Sequence, residues 1–326
     1  MLIEARIPTR YIFSLVKKQF FIVCIIAGTL SYIDQFMVQW VEDLEYFLEH
    51  TIGISDIDME LQSPIIPMTI PSILGATITL VLAFRMNQSY DRWWEGRKIW
   101  GAIVNDSRTL IREVSLLISK DCQQPELQVQ FKGAVINKLL AWNHALVGAM
   151  RNIDTSTDVL KYIKQTELIA ISKFDQNLTN ALLFAILEDV KKAYHTGIIT
   201  EYQHIQLNKT INSLNDSMGK SERIKNTVFP HLYSKLIDDS IWCFVFILPL
   251  AYRDLNEYVE FPIVMIISMF FFLLEKLAEG LQDPFSNKPT DVPIQSIVRN
   301  IEIFALSSLG KDHQLEKTKP THFYLM

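Results

Sequence analysis

Between Lys18 and Arg85 the chain contains neither lysine nor arginine, while basic residues stand at both outer edges of that stretch. Two apolar segments occupy its ends, Phe20 to Ile33, which continues apolar past Asp34 to Val41 as a helix crossing with Asp34 near one end, and Leu61 to Phe84; carboxylates fill its middle: Asp34, Glu42, Asp43, Glu45, Glu49, Asp56, Asp58 and Glu60. Basic residues are retained on the cytoplasmic side of a membrane, so the pattern predicts two crossings joined by an outer acidic loop over 34–60, with the N-terminus inside. The second segment carries Pro64, Pro67 and Pro71, and a regular helix is expected to begin near Pro71, where proline is tolerated in a first turn.

Composition agrees with a membrane part joined to a helical polar part. Of 326 residues 49% are hydrophobic and 21% charged, the latter too many for a chain lying wholly in a bilayer. A net charge of −5 and the absence of long basic runs exclude a nucleic-acid partner. Cys24, Cys122 and Cys243 are too scattered for a disulfide scaffold or a cysteine-rich metal site. Arg6, Arg10, Lys17 and Lys18 precede an apolar run as in a signal peptide, but no small-residue cleavage site follows, so the run reads as a retained first helix.

From Ala102 to about Ile237 apolar residues recur at spacings of three and four, as in Leu110, Val114 and Leu117, and predict a set of helices. Breaks are expected at 121–125, 152–158, 195–197 and 218–221. Two further apolar runs, Ser240 to Tyr252 and Phe261 to Leu274, are each short for a full span and by hydropathy alone also allow buried core helices; the charge asymmetry favours a third and fourth crossing that return the chain to the cytoplasm. The expected divisions are 1–18, 19–105, 106–237, 238–281 and 282–326: a cytoplasmic segment, two spans, a cytoplasmic helical region, two spans and a cytoplasmic end. Gly310 to Met326 has no assigned role.

Chemistry is sparsely represented. The seven histidines form no i, i+4 pair, and neither a glycine-rich phosphate loop nor Gly-x-Ser-x-Gly occurs. An enzyme is not expected, nor a cofactor or metal.

The densest motif is Phe84-Arg85-Met-Asn-Gln-Ser-Tyr90-Asp91-Arg92-Trp93-Trp94-Glu95-Gly96-Arg97, ending at Trp100-Gly101. On a helix, Tyr90, Trp94, Arg97 and Gly101 share one stripe, with Trp93 and Trp100 beside it, and such residues suit an anchor at headgroup depth. The string also resembles the signature of the bacterial bestrophin homologues, a family of membrane ion channels. Two later stretches resemble the same family: Gly219, Glu222-Arg223-Ile224, Thr227, Pro230 and Tyr233, then Asp283-Pro284-Phe285, Asp291, Pro293 and Ile301-Glu302. Ser221, Val228 and Ser286 stand where the family has cysteine, proline and glycine.

The resemblance implies an all-α membrane protein with four transmembrane helices per subunit and a large cytoplasmic helical portion, assembled as a homopentamer in the plasma or inner membrane with both termini cytoplasmic. It implies passive passage of small monovalent ions, chloride by family default, with cation selectivity open. A neck on the second span is implied at Met68, Ser72 and Ala76, or at Ile70, Leu74 and Ile78 if the prolines shift the register. A cytoplasmic constriction falls at Tyr202, with Ile205 as neighbour. The calcium clasp of eukaryotic relatives needs several carboxylates where this chain has Ser286-Asn-Lys-Pro-Thr-Asp291. The competing expectation is a non-conducting membrane sensor or scaffold whose cytoplasmic helices bind a partner.

Overall fold

The computed structural model describes residues 7–47, 50, 66–116, 125–227, 229–252, 257–310, 314–320 and 324. Among them every regular element of more than one residue is a helix: α1 (Thr9–Phe47), α2 (Thr69–Leu116), α3 (Pro125–Arg151), α4 (Ser156–Val159), α5 (Gln165–Ser172), α6 (Leu178–His195), α7 (Glu201–Asn226), α8 (His231–Tyr252), α9 (Glu257–Gln282) and α10 (Ile294–Ser308). Pro71 sits in the first turn of α2, as expected.

Two expectations are corrected. The predicted outer loop begins too early, because α1 runs on through Asp34 to Phe47; 29–52 holds neither glycine nor proline, and carboxylates alone do not stop a helix. Residues 51–65, the rest of that loop, lie outside the described residues. The break at 218–221 is absent, since α7 continues to Asn226. An interior glycine costs about 1 kcal/mol relative to alanine, and burial of Leu214, Met218 and Ile224 around Gly219 outweighs it.

The chain divides into two compact units, Ile7–Ser89 with Phe229–Glu279, and Tyr90–Val228 with Gly280–Met326. The first is built from α1, α8 and parts of α2 and α9. Its core takes Val16, Val23 and Ala27 from α1, Ile78 and Leu82 from α2, Ile241, Phe244 and Val245 from α8, and Val264 and Phe272 from α9. At Gly75 an added Cβ would stand 3.2 Å from the Phe244 ring, so the missing side chain makes room for that ring. Around the core, Phe21, Ile25, Phe36 and Trp40 of α1 and Ile266 and Phe270 of α9 remain exposed. Three of the described helices, α1, α2 and α9, are long and apolar enough to cross a membrane.

The second unit packs α3, α6, α7, α10 and the later turns of α2 around one core. Helix α2 contributes Trp100, Ile103, Leu110 and Val114, spaced three to seven apart on one face. Helix α3 lies at the centre, with Val135, Leu139, Trp142 and Leu146 wholly enclosed. Asn177 caps α6 by accepting the Thr179 N–H, and Thr200 with Gln203 forms a capping box at the start of α7.

Candidate functional site

Within the first unit, α2 has one face turned inward and a broad face left open. Pro71, Ile78, Leu82, Arg85 and Ser89 make the buried stripe, at helical spacings of three, four and seven. Met68, just before the helix, and Ser72, Ala76, Thr79 and Ala83 are exposed on the opposite side. Their hydroxyls are satisfied within the helix: Ser72 Oγ donates to Met68 O at 2.7 Å and Thr79 Oγ1 to Gly75 O at 2.8 Å. The flank of the same open side is bulky and apolar, with Ile70, Ile73, Leu80 and Phe84 each about half exposed or more.

The residues of the two implied neck registers differ in exposure. Met68, Ser72 and Ala76 share an open side. Ile70, Leu74 and Ile78 do not: Ile78 is 3% exposed inside the unit's core and Leu74 packs against that core.

Arg85 is buried at 2% exposure. Its guanidinium donates to Glu275 Oε1 of α9 at 3.2 Å, and its Cζ stands 5.9 Å from the centre of the Phe229 ring. Lys276 Nζ lies 3.3 Å from Glu275 Oε2. Arg85 lies too far from Glu275 in sequence for this pair to be read from spacing.

In the second unit the three sequence motifs converge. Arg92 donates through Nε to Gln282 O at 2.9 Å and through one terminal nitrogen to Ile224 O at 2.9 Å and Thr227 O at 3.0 Å. These carbonyls belong to the last turns of α9 and α7 and the residue after α7, where no further helical N–H donors remain for them. Trp93 Nε1 donates to Thr290 O at 2.9 Å. An added Cβ at Gly96 would stand 3.1 Å from Pro284 Cγ and 3.2 Å from Phe285 Cζ, so only glycine lets the Asp283-Pro284-Phe285 turn lie against α2 without displacement. Phe285 is fully buried, edge-on to Trp100 at 6.5 Å between ring centres.

The remaining motif residues tie the same assembly. Glu95 pairs with Arg223, Lys225 Nζ lies 3.6 Å from Asp283 Oδ2, and Asn177 Nδ2 donates to Glu222 Oε1 at 3.1 Å. Tyr90 and Trp94 are about half exposed and Asp91 is exposed, while Arg97 is partly covered. The string therefore mixes residues that hold the fold together with residues left on its surface.

The turn after α9 is held by protein groups. Asp283 Oδ1 accepts the Phe285 N–H at 3.1 Å and Asp291 Oδ2 the Lys288 N–H at 3.1 Å. Arg151 donates to Asn287 Oδ1 at 3.0 Å and to Val292 O at 3.3 Å. Burial pushes the Asp291 carboxyl up from the usual range, against the lowering effect of the backbone N–H groups and Arg151. Among the described residues no three His, Cys, Asp or Glu side chains gather as a metal site would require.

Deeper in the same unit, Glu302 is enclosed by Tyr162, which hydrogen-bonds Oε1, by Arg299 at 2.7 Å from Oε2, and by His144 at 3.8 Å. Burial pushes its carboxyl up, but the neighbouring His144 and the hydrogen bonds from Tyr162 and Arg299 prevail and hold it down at about 2. Tyr202 and Ile205, in the opening turns of α7, point away from the core with exposures of 87% and 58%.

The model of the bacterial and fungal bestrophin proteins matches residues 9–307. This chain belongs to the bestrophin family. Relatives include a Nostoc protein named as a voltage-dependent anion channel-forming protein, 28% identical over 79% of this chain and 83% of its own length. An Escherichia coli K12 protein of the same designation is 29% identical over 78% of this chain and 80% of its own. The crystal structure of a bacterial bestrophin homologue from Klebsiella pneumoniae superposes with a TM-score of 0.74 at 20% identity, covering 91% of this chain and 100% of that one, which fixes the bestrophin fold. Arg92, Trp93, Gly96 and the Asp283-Pro284-Phe285 turn are the residues by which this bestrophin assembles its second unit.

Proposed function

We propose that the chain is one subunit of a homopentameric channel that passes small monovalent ions passively through a plasma or inner membrane, with chloride and similar anions as the preferred cargo. Each subunit would cross the bilayer four times, through α1, the first part of α2, α8 and α9, with both termini in the cytoplasm. The names of the Nostoc and Escherichia coli relatives support anion passage. The distribution of basic residues around 19–84 supports the orientation.

The observation that carries the reading is the open face of α2. In one subunit Met68, Ser72, Ala76, Thr79 and Ala83 are exposed, short side chains for the most part, beside the bulky flank of Ile70, Ile73, Leu80 and Phe84. Large apolar groups favour lipid or a neighbouring helix, whereas small ones leave room for a water-filled axis. Met68, Ser72 and Ala76 thus line the neck, and the outward Tyr202 and Ile205 form the cytoplasmic constriction.

Chloride efflux from liposomes containing the purified protein tests this. Ser72→Leu with Ala76→Leu adds bulk only on the open face, and efflux should fall by about tenfold or more; Ile73→Leu, on the flank, should leave it close to the unaltered protein. Undiminished efflux in the double variant would reject the neck. Reversal potentials in asymmetric salt then assign the preferred ion.

A further inference from the structure

On the α6–α7 hairpin of the second unit, Lys191, Tyr194 and His195 face His204, Asn208 and Asn212 across an open groove of about 520 Å³. Leu187, half-buried against the core, gives it an apolar wall. Each polar side chain in this lining carries an N–H or O–H donor, and none is a carboxylate. The volume lies within the ~300–1,000 Å³ that small organic ligands occupy and exceeds what a bare ion fills.

The rings are held in place before any ligand arrives. Tyr194 stacks on His204 with 5.0 Å between centres and an interplanar angle of 26°, and the His195 ring centre lies 5.6 Å from that of Tyr194. His204 Nε2 and Asn208 Nδ2 are 3.3 Å apart, which orients both side chains. The capping box at Thr200 and Gln203 fixes the start of α7, and with it the position of His204.

We propose that this groove binds a small organic oxyanion, a carboxylate or phosphate ester carried on a planar ring. Lys191, His195, Asn208 and Asn212 supply donors to the oxyanion, with Lys191 contributing a full charge, and charge-assisted bonds of this kind are the stronger class. Leu187 and the Tyr194–His204 stack receive the ring. A cationic ligand finds no carboxylate in the lining to compensate it. The site does not depend on the pore reading, because its residues belong to neither the neck nor the proposed constriction.

Calorimetric titration of the full chain in neutral detergent tests it, with phenyl phosphate, benzoate and inorganic phosphate as probes. Phenyl phosphate or benzoate should saturate one site per chain below about 1 mM, and the tighter of the two identifies the oxyanion. Inorganic phosphate should bind about tenfold or more weakly, since it leaves the apolar wall bare. Lys191→Gln and His204→Ala should each weaken the better probe by about tenfold, while Lys173→Gln, outside the groove, should not. Variants are compared at equal melting temperature and elution volume, so that lost binding is not lost folding. No saturation by either ring-bearing probe, equal binding of inorganic phosphate, or groove variants that bind as tightly as the unaltered chain would each overturn the proposal.

Discussion

Replacing Glu275 with glutamine should cost more stability than replacing its partner Arg85 with methionine. At 3.2 Å, with side-chain exposures of 2% and 7%, the two charges attract by about 5 kcal/mol if the surroundings screen as an effective dielectric of ~20. Desolvation offsets much of that, so the intact pair adds little net stability, whereas removing one partner from a buried pair costs about 3–5 kcal/mol. The two removals are unequal. Without Arg85, Glu275 keeps Lys276 at 3.3 Å; without Glu275, Arg85 keeps chiefly the Phe229 ring at 5.9 Å.

Glu275→Gln should therefore fall in the upper part of that ~3–5 kcal/mol range and Arg85→Met below it, near the ~1–3 kcal/mol of a buried polar group losing one bond. The Arg85→Met/Glu275→Met double variant should recover most of the loss, because it strands no charge. Melting in detergent, where each kcal/mol shifts the midpoint by roughly 2–4 °C in a chain of this order of size, gives the ranking. An Arg85 variant less stable than the Glu275 variant, or a double variant as unstable as the summed singles, would refute the reasoning.

Other substitutions probe the second unit. Gly96→Ala drives a methyl toward Pro284 and Phe285 at 3.1–3.2 Å and should destabilise by about 1–3 kcal/mol in denaturant titration. Trp93→Phe keeps an aromatic ring but strands Thr290 O, for a loss of about 1–2 kcal/mol by the same measurement. Glu302, held at about 2 in the folded chain, sits below its unfolded carboxylate value. Its stabilisation is thus complete above the unfolded pKa and is lost as pH falls through about 2. Glu302→Gln should lower the neutral-pH melting temperature and flatten its decline in that acid range, as read from melting curves between neutral and strongly acidic pH.

The helices of the second unit were legible because their apolar residues keep a helical period: Leu110 with Val114 shares a core face of α2, and Pro125 and Gly197 mark real ends. Local composition misled where a helix tolerates polar residues, as at Glu42, Asp43 and Glu45 in α1, or where neighbours bury strongly, as around Gly219. The signature string was visible as a motif, but not its division of labour. Nothing in the sequence distinguishes Arg92, which grips three carbonyls, from Arg85, which is buried against a carboxylate, because both partners lie far along the chain. The burial of Ile78 beside the exposure of Ser72 is likewise a property of packing alone.

Arg92 also bears on how the chain is made. Its acceptors lie 132, 135 and 190 residues downstream, so a nascent chain carries this guanidinium incomplete until synthesis has passed Gln282. A product truncated between Thr227 and Gln282 leaves the cation one acceptor short, and one truncated before Ile224 leaves it with none of the three.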